Sequence, residues 1–327
     1  MPPNPTLTAL RGVRVGHATD LRRRTGTTVV LLDPPAMAFA DPRGGWPGSF
    51  DTAASDLGKT FIDRHALFLT GGDIYGYDAS IGIRNFLLAK GLAKPRGGGR
   101  MPAIMGTNIY DVHFGPLKGR DYAALGARAC EAASSKPVPQ GTVGAGTGAT
   151  VGPFYDAPGL EGTKGGIGSS AARAGRWTVG AMVVTNCVGN VYDVSATRTI
   201  AGTHRRGAST FLEMDDVLDA YLRRSAIRYG TTIGVLGTDA PLDHEQLARL
   251  VELAHDGLAL AIRPAHLSTD GDTILGFGTG KRPPRRLDHL AFDVIHHVAV
   301  REVARAAVNA VRHATRLGGY TGLADPR

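Results

Sequence analysis

The stretch Gly230, Thr231, Thr232, Ile233, Gly234, Val235, Leu236, Gly237, Thr238, Asp239 decides how the rest of the chain is read. A flexible glycine hands over abruptly to a β-branched, apolar run, which predicts a buried strand starting at Thr231. Outward from it, strand character recurs at residues 27–32, 66–70, 103–106, 179–186 and 273–277. Helical spacing recurs at 79–92, 122–133, 214–228, 243–262 and 287–316. The alternation predicts an α/β chain with a layered core and no internal repeat. The glycine-rich loops do not open helices in the manner of a dinucleotide site, which disfavours a doubly wound sheet. No Pro/Gly/Ser linker separates two units, so 1–327 is read as a single domain.

Composition narrows the function. The chain has 327 residues, 43% of them hydrophobic and 20% charged, which suits a globular protein with a sizeable core. Its 45 glycines are roughly twice ordinary usage, clustered between apolar runs, and point to tight turns and close backbone approaches. The net charge of +8 is scattered, apart from 22–24 and Lys281, Arg282, Arg285 and Arg286, and no aromatic-rich nucleic-acid module accompanies it. Neither nucleic acid nor a membrane is an expected partner. Cys130 and Cys187 have no metal-ligand spacing and form no disulfide framework, so no metal or cofactor is expected. A reducing cytoplasm fits, and neither an export signal nor a membrane-spanning run is evident.

The segment 203–230 behaves differently. It passes from a polar loop through an acidic, helix-like stretch (Glu213, Asp215, Asp216, Asp219) into Arg223, Arg224 and Arg228, then stops at Gly230. It reads as an insertion that ends at a chemical event. A threonine hydroxyl is a weak nucleophile and needs an adjacent base, which a free α-amine on the same residue can supply. That amine has a pKa of about 8, close to working pH. It exists at an internal threonine only if the preceding peptide bond is cut, and glycine tolerates the strained geometry that such a cut requires.

Read with these features, the chain resembles the self-processing S58 peptidase family, which includes the L-aminopeptidase/D-esterases, the β-peptidyl aminopeptidases and the nylon-oligomer endohydrolases. The resemblance is carried, in order, by Val15 to Asp20 with Thr25 to Thr28; Thr70 to Asp73 with Gly76 and Asp78; Gly144 to Gly152; Lys164 to Gly168; Thr231; His255 to Ala259 with Ile262 to Pro264; and Asp270 to Thr273. It covers nearly the whole chain.

The resemblance implies a four-layer α-β-β-α sandwich, like amino-terminal nucleophile hydrolases but with distinct connectivity. It also implies autocleavage into 1–230 and 231–327 and a homo-oligomer, a tetramer of cleaved protomers. Thr231 would be both nucleophile and α-amine base, with the cut between Gly230 and Thr231. Asn186 would donate to the oxyanion, a contribution on the order of 3 kcal/mol. Asp270 and Asp272 would orient the nucleophile and its ammonium form, as in the nylon-oligomer branch, and Tyr110 would hydrogen-bond the intermediate. Many relatives carry a lysine after the Gly144 to Gly152 run, where Pro153 stands; either Lys164 approaches from the next loop or the site works without that cation. No P-loop ending follows that run.

The activity implied is amide hydrolysis of short peptides or amino acid amides through an acyl-enzyme. Endo-hydrolysis of 6-aminohexanoate (nylon) oligomers is the alternative, and ornithine acetyltransferase-like acyl transfer a further one, although the hallmark of those enzymes is not what stands at Gly230, Thr231 and Thr232.

Overall fold

The computed structural model describes the chain except residues 1–3, 97–98, 153–158, 197, 209, 225–228, 282–285 and 327. Nine strands pair into one continuous sheet: β1 (Val13–Asp20), β2 (Thr25–Pro42), β3 (Ser49–Phe50), β4 (Asp63–Thr70), β5 (Ile104–Asn108), β6 (Gly166–Ala174), β7 (Trp177–Thr185), β8 (Ile233–Thr238) and β9 (Thr273–Gly278). Their order is β6-β7-β8-β9-β2-β4-β5-β3, with β1 also on β2. The pairs β8/β9 and β4/β5 are parallel and the others antiparallel.

The long strand β2 folds this sheet over itself. Its first half, 25–32, pairs with β1, whereas its second half, 37–42, pairs with β9. Between them lies an irregularity from Leu31 to Ala36 that contains the Asp33-Pro34 bond. Proline cannot donate to the ladder, so pairing breaks there and the strand passes from one half of the sheet to the other.

Three apolar cores follow from the two-residue alternation of the strands. Val30, Leu32, Leu67 and Leu69 meet Met182, Val184, Ile233, Val235 and Leu275 in a core between the two halves. The intervening residues face outward. Val29, Leu31, Ala66 and Phe68 pack under α1 (Ala79–Ala89) and α2 (Tyr122–Glu131). Ala181, Val183, Leu236 and Ile274 pack under α4 (His244–Ala261) and α5 (His289–Arg312). The layers therefore run helix, sheet, sheet, helix, as the resemblance implies. Asp121, Asp243 and Asp288 cap α2, α4 and α5 by accepting from Ala124, Gln246 and Ala291 N–H groups.

Two strands, β1 and β6, escape periodicity because helices rest on their backbones. A Cβ at Gly16 would lie 2.0 Å from the Ala129 carbonyl oxygen of α2, and one at Gly168 would lie 2.2 Å from the Ala306 carbonyl oxygen of α5. Such positions admit only glycine, so these strands lack the β-branched signature. The predicted strand 231–238 begins two residues later, at Ile233, while Gly230 forms an isolated parallel bridge with Asp270. The helix expected over 214–228 is described as α3 (Met214–Arg224); residues 225–228 lie outside the described residues. Met214 and Val217 of α3 form a small cluster with Leu160 and Leu212, apart from the three main cores. Among the described residues no helix is long and apolar enough to cross a membrane.

Candidate active site

Thr231 sits where β8 enters the sheet, buried together with Gly230. Its hydroxyl donates to the carbonyl oxygen of Gly230 at 2.5 Å, and its N–H donates to the main-chain carbonyl of Asn186 at 2.5 Å. The same Gly230 oxygen accepts the Gly271 N–H at 3.1 Å. A side-chain oxygen and a backbone donor thus converge on one peptide group. Glycine is required at 230 for space, because a Cβ would lie 2.6 Å from both Asp270 Oδ1 and the Val188 nitrogen.

Asp270 and Asp272 both point into this region and both are buried, but their chemistry differs. Asp272 Oδ1 accepts the Thr232 N–H at 2.6 Å, and Oδ2 accepts the N–H and the Nδ1 proton of His266 at 2.9 and 2.8 Å. This carboxylate clamps the strand start one residue past Thr231. Asp270 Oδ2 accepts the Leu267 N–H at 2.9 Å, while Oδ1 has no hydrogen-bond partner among the described residues. Burial and the neighbouring Asp272 push the Asp270 carboxyl up to about 7. Behind His266 lies His255, ring centroids 4.9 Å apart, and burial together with His266 pushes His255 down to about 3, leaving it neutral.

Asn186 follows β7. Its side-chain oxygen accepts the Thr150 N–H at 2.9 Å, which fixes the amide so that its oxygen, and not its NH2 group, faces that loop. The loop is braced in turn by Lys164, which is fully buried. Its Nζ donates to the carbonyls of Gly146, Ala149 and Gly165 at 3.0, 2.7 and 2.8 Å. An ammonium has three protons, and these three acceptors take them all. This corrects the expectation that Lys164 could present its charge to the nucleophile: it supports the glycine-rich loop instead. Burial pushes its pKa down to about 7, opposed by Asp111. Pro153 lies outside the described residues.

A cavity of about 370 Å³ opens on Thr231 and Gly230, walled by Trp46, Asp73, Asn108, Tyr110 and Tyr229. Tyr110, expected near the nucleophile, lines it and is tilted against Tyr229 at a centroid separation of 5.2 Å. Trp46 meets Tyr229 edge on, also at 5.2 Å. Burial, with Asp73 next in effect, raises the Tyr110 hydroxyl above its ordinary value.

The structure therefore brings Thr231, Gly230, Asn186, Asp270, Asp272 and Tyr110 to one place. Sequence reasoning missed Gly271, Thr150, His266, Trp46 and Tyr229. The first two act through backbone N–H groups, which carry no side-chain signal. His266 is separated from Asp272 by a short loop and could have been found as a histidine beside the Asp-Gly-Asp turn. Among the described residues no group of histidine, cysteine or acidic side chains could hold a metal ion.

The model of peptidase family S58 matches residues 5–324. An uncharacterized aminopeptidase of Mycobacterium tuberculosis is 34% identical over 290 residues, covering 84% of this chain and 81% of that protein. The 6-aminohexanoate-oligomer endohydrolase of Paenarthrobacter ureafaciens is 29% identical over 279 residues, covering 82% and 73%. Among solved structures, a β-aminopeptidase of a Burkholderia species superposes with a TM-score of 0.70 at 24% identity, covering 98% of this chain and 90% of that one. The L-aminopeptidase D-Ala-esterase/amidase of Ochrobactrum anthropi, described as a variant of the Ntn hydrolase fold, superposes with a TM-score of 0.70 at 20% identity, covering 98% and 91%. The chain belongs to peptidase family S58 and is a hydrolase of amide or peptide bonds.

Proposed function

We propose that the chain cuts itself between Gly230 and Thr231 and then hydrolyses short peptides or amino acid amides with Thr231 as its amino-terminal nucleophile. The observation that carries this reading is the Thr231 hydroxyl held 2.5 Å from the Gly230 carbonyl oxygen, with the Gly271 N–H on the same oxygen. Attack of Oγ on the Gly230 carbon moves negative charge onto that oxygen, where the Gly271 donor meets it. The C–N bond then breaks, the Oγ proton ends on the new α-amine, and an ester joins Gly230 to Thr231. Water hydrolyses the ester, releasing the Gly230 carboxylate and restoring the hydroxyl.

The new amine is the former Thr231 nitrogen, already anchored by the Asn186 carbonyl at 2.5 Å. It takes the Oγ proton as the hydroxyl attacks a substrate carbonyl, then passes a proton to the departing amine. The acyl-enzyme ester is cleared by water. Asn186 donates its oriented NH2 group to the oxyanion. Asp272 holds Thr232, and Asp270 Oδ1, unpartnered beside Gly230, is the counter-charge for the ammonium form. Tyr110 hydrogen-bonds the intermediate from the cavity wall.

Hydrolysis of 6-aminohexanoate oligomers is the second reading, favoured by threonine at 231 and by the Asp270 and Asp272 pair. An amino acid p-nitroanilide panel assayed beside a linear aminohexanoate oligomer separates the two. Assembly into a homo-oligomer is also proposed, and the exposed Leu290 and Val294, one turn apart on α5, offer an apolar stripe for it. Light scattering tests that assembly. For the nucleophile, Thr231→Ala is expected to leave one uncut chain with at least a ~1000-fold loss of amidase activity. Full activity in that variant would overturn the assignment.

A further inference from the structure

We propose that His266 is a positioning residue of the reaction: it holds Asp272 at the angle from which that carboxylate fixes Thr232, and through Thr232 it keeps the Thr231 hydroxyl aligned with the acyl carbon. The inference rests on the reading of Thr231 as the nucleophile. A carboxylate turns easily about its Cβ–Cγ bond, and its two oxygens are equivalent until their partners tell them apart. His266 does so here. Its backbone N–H and its ring Nδ1 both donate to Asp272 Oδ2, at 2.9 and 2.8 Å, which leaves Oδ1 for the Thr232 N–H at 2.6 Å. The His266 backbone lies at φ 60°, a left-handed conformation unfavourable for a residue with a Cβ. The strain is held where two donors of one residue meet one oxygen.

The ring is fixed in its tautomer as well as its place. Nε2 of His266 is buried without a hydrogen-bond partner among the described residues, so a proton there would be an unmet donor. The tautomer that fits carries its proton on Nδ1, facing Asp272. His255 stands edge on behind the ring, centroids 4.9 Å apart, and Nε2 of His255 donates to the Asp41 carbonyl at 2.9 Å. The wall behind His266 is thus a buried ring already committed elsewhere.

This arrangement matters most after the cut. In the uncut chain Thr231 is held on its amino side by the peptide bond to Gly230, whose oxygen accepts the Gly271 N–H at 3.1 Å. Cleavage removes that bond. The nitrogen is then held by the Asn186 carbonyl at 2.5 Å, and the next peptide group by Asp272. Turnover therefore depends on the angle of Asp272, and so on His266, more than self-cleavage does. His266 is not among the described residues that wall the cavity, so replacing it leaves substrate affinity in place.

The test uses His266→Asn and His266→Gln in the full chain. Asparagine carries an NH2 group where Nδ1 stands and tolerates left-handed backbone, whereas glutamine carries its NH2 group one bond further out. Appearance of the two fragments on a denaturing gel gives the rate of self-cleavage, and alanine p-nitroanilide gives kcat and KM of the cut protein. His266→Gln is expected to lower kcat by about 30-fold with KM within about twofold, and to slow self-cleavage by less. His266→Asn is expected to stay within about threefold of the wild type in kcat. Equal kcat in the two variants, a loss carried by KM, or self-cleavage slowed more than turnover would overturn the proposal while leaving Thr231 in place. A wild-type chain that is active yet uncut would overturn the reading beneath it.

Discussion

Asp270 carries an oxygen with no partner among the described residues beside the bond expected to be cut, and its protonation is open to measurement. In the uncut chain burial and Asp272 hold its carboxyl at about 7, against about 3.9 in an unfolded chain. A carboxyl raised on folding contributes stability that is complete below its unfolded pKa and is lost as pH rises through the folded one. Uncut Thr231→Ala protein is therefore expected to lose urea resistance between about pH 4 and pH 7. Thr231→Ala with Asp270→Asn is expected to lose less over that interval, and equal slopes would contradict the assignment. At this scale much of the site was legible. Gly230 and Thr231 were singled out from residue type at a strand start, Asn186, Asp270, Asp272 and Tyr110 from the family resemblance, and they lie together. What was not legible is how the two aspartates divide the work. One is saturated by Thr232 and His266 and the other is left open, and that follows from loop geometry with no trace in the spelling Asp-Gly-Asp.

Among elements, the glycine-rich loop that follows the single 3-10 turn at Gly144–Gly146 connects the buried lysine to the oxyanion candidate. Lys164 holds the Ala149 carbonyl, the next residue's N–H holds Asn186 Oδ1, and Asn186 holds Thr231 through its own carbonyl. Lys164→Met keeps the volume but takes one donor from each of three buried carbonyls; Ala149 keeps the Gly165 N–H and Gly146 the Ala149 N–H, and a carbonyl left unsatisfied costs roughly 1–3 kcal/mol. It is expected to lower the melting temperature and to slow appearance of the two fragments on a denaturing gel by about tenfold or more. Processing at the wild-type rate would show that the loop does not govern Asn186. Sequence periodicity found the strands that carry branched residues and the helices that carry amphipathic stripes. It missed β1 and β6, since Gly16 and Gly168 are there to admit helix backbone, and the signal of a strand is lost where its side chains are absent.

At the level of the whole molecule, the proposed cut falls inside a shared sheet. β8 belongs to the fragment 231–327 yet pairs with β7 of the other fragment, and β9 pairs with β2. Ile233, Val235 and Leu275 enter the core between the sheets alongside Val30, Leu67 and Met182. Each such side chain buried is worth about 1.5–3 kcal/mol. The fragments are therefore expected to elute together on gel filtration and to separate only in denaturant; separate elution under native conditions would contradict this packing. The layer order was expected only from the family resemblance, because no periodicity announces that β2 crosses from one half of the sheet to the other.

The central claim is that Thr231 becomes a chain terminus, and intact mass spectrometry of the purified protein with amino-terminal sequencing of its smaller fragment tests it most directly. Two masses matching residues 1–230 and 231–327, with a small fragment that reads Thr, Thr, Ile, Gly, Val, are expected. A single active chain of undivided mass would contradict it.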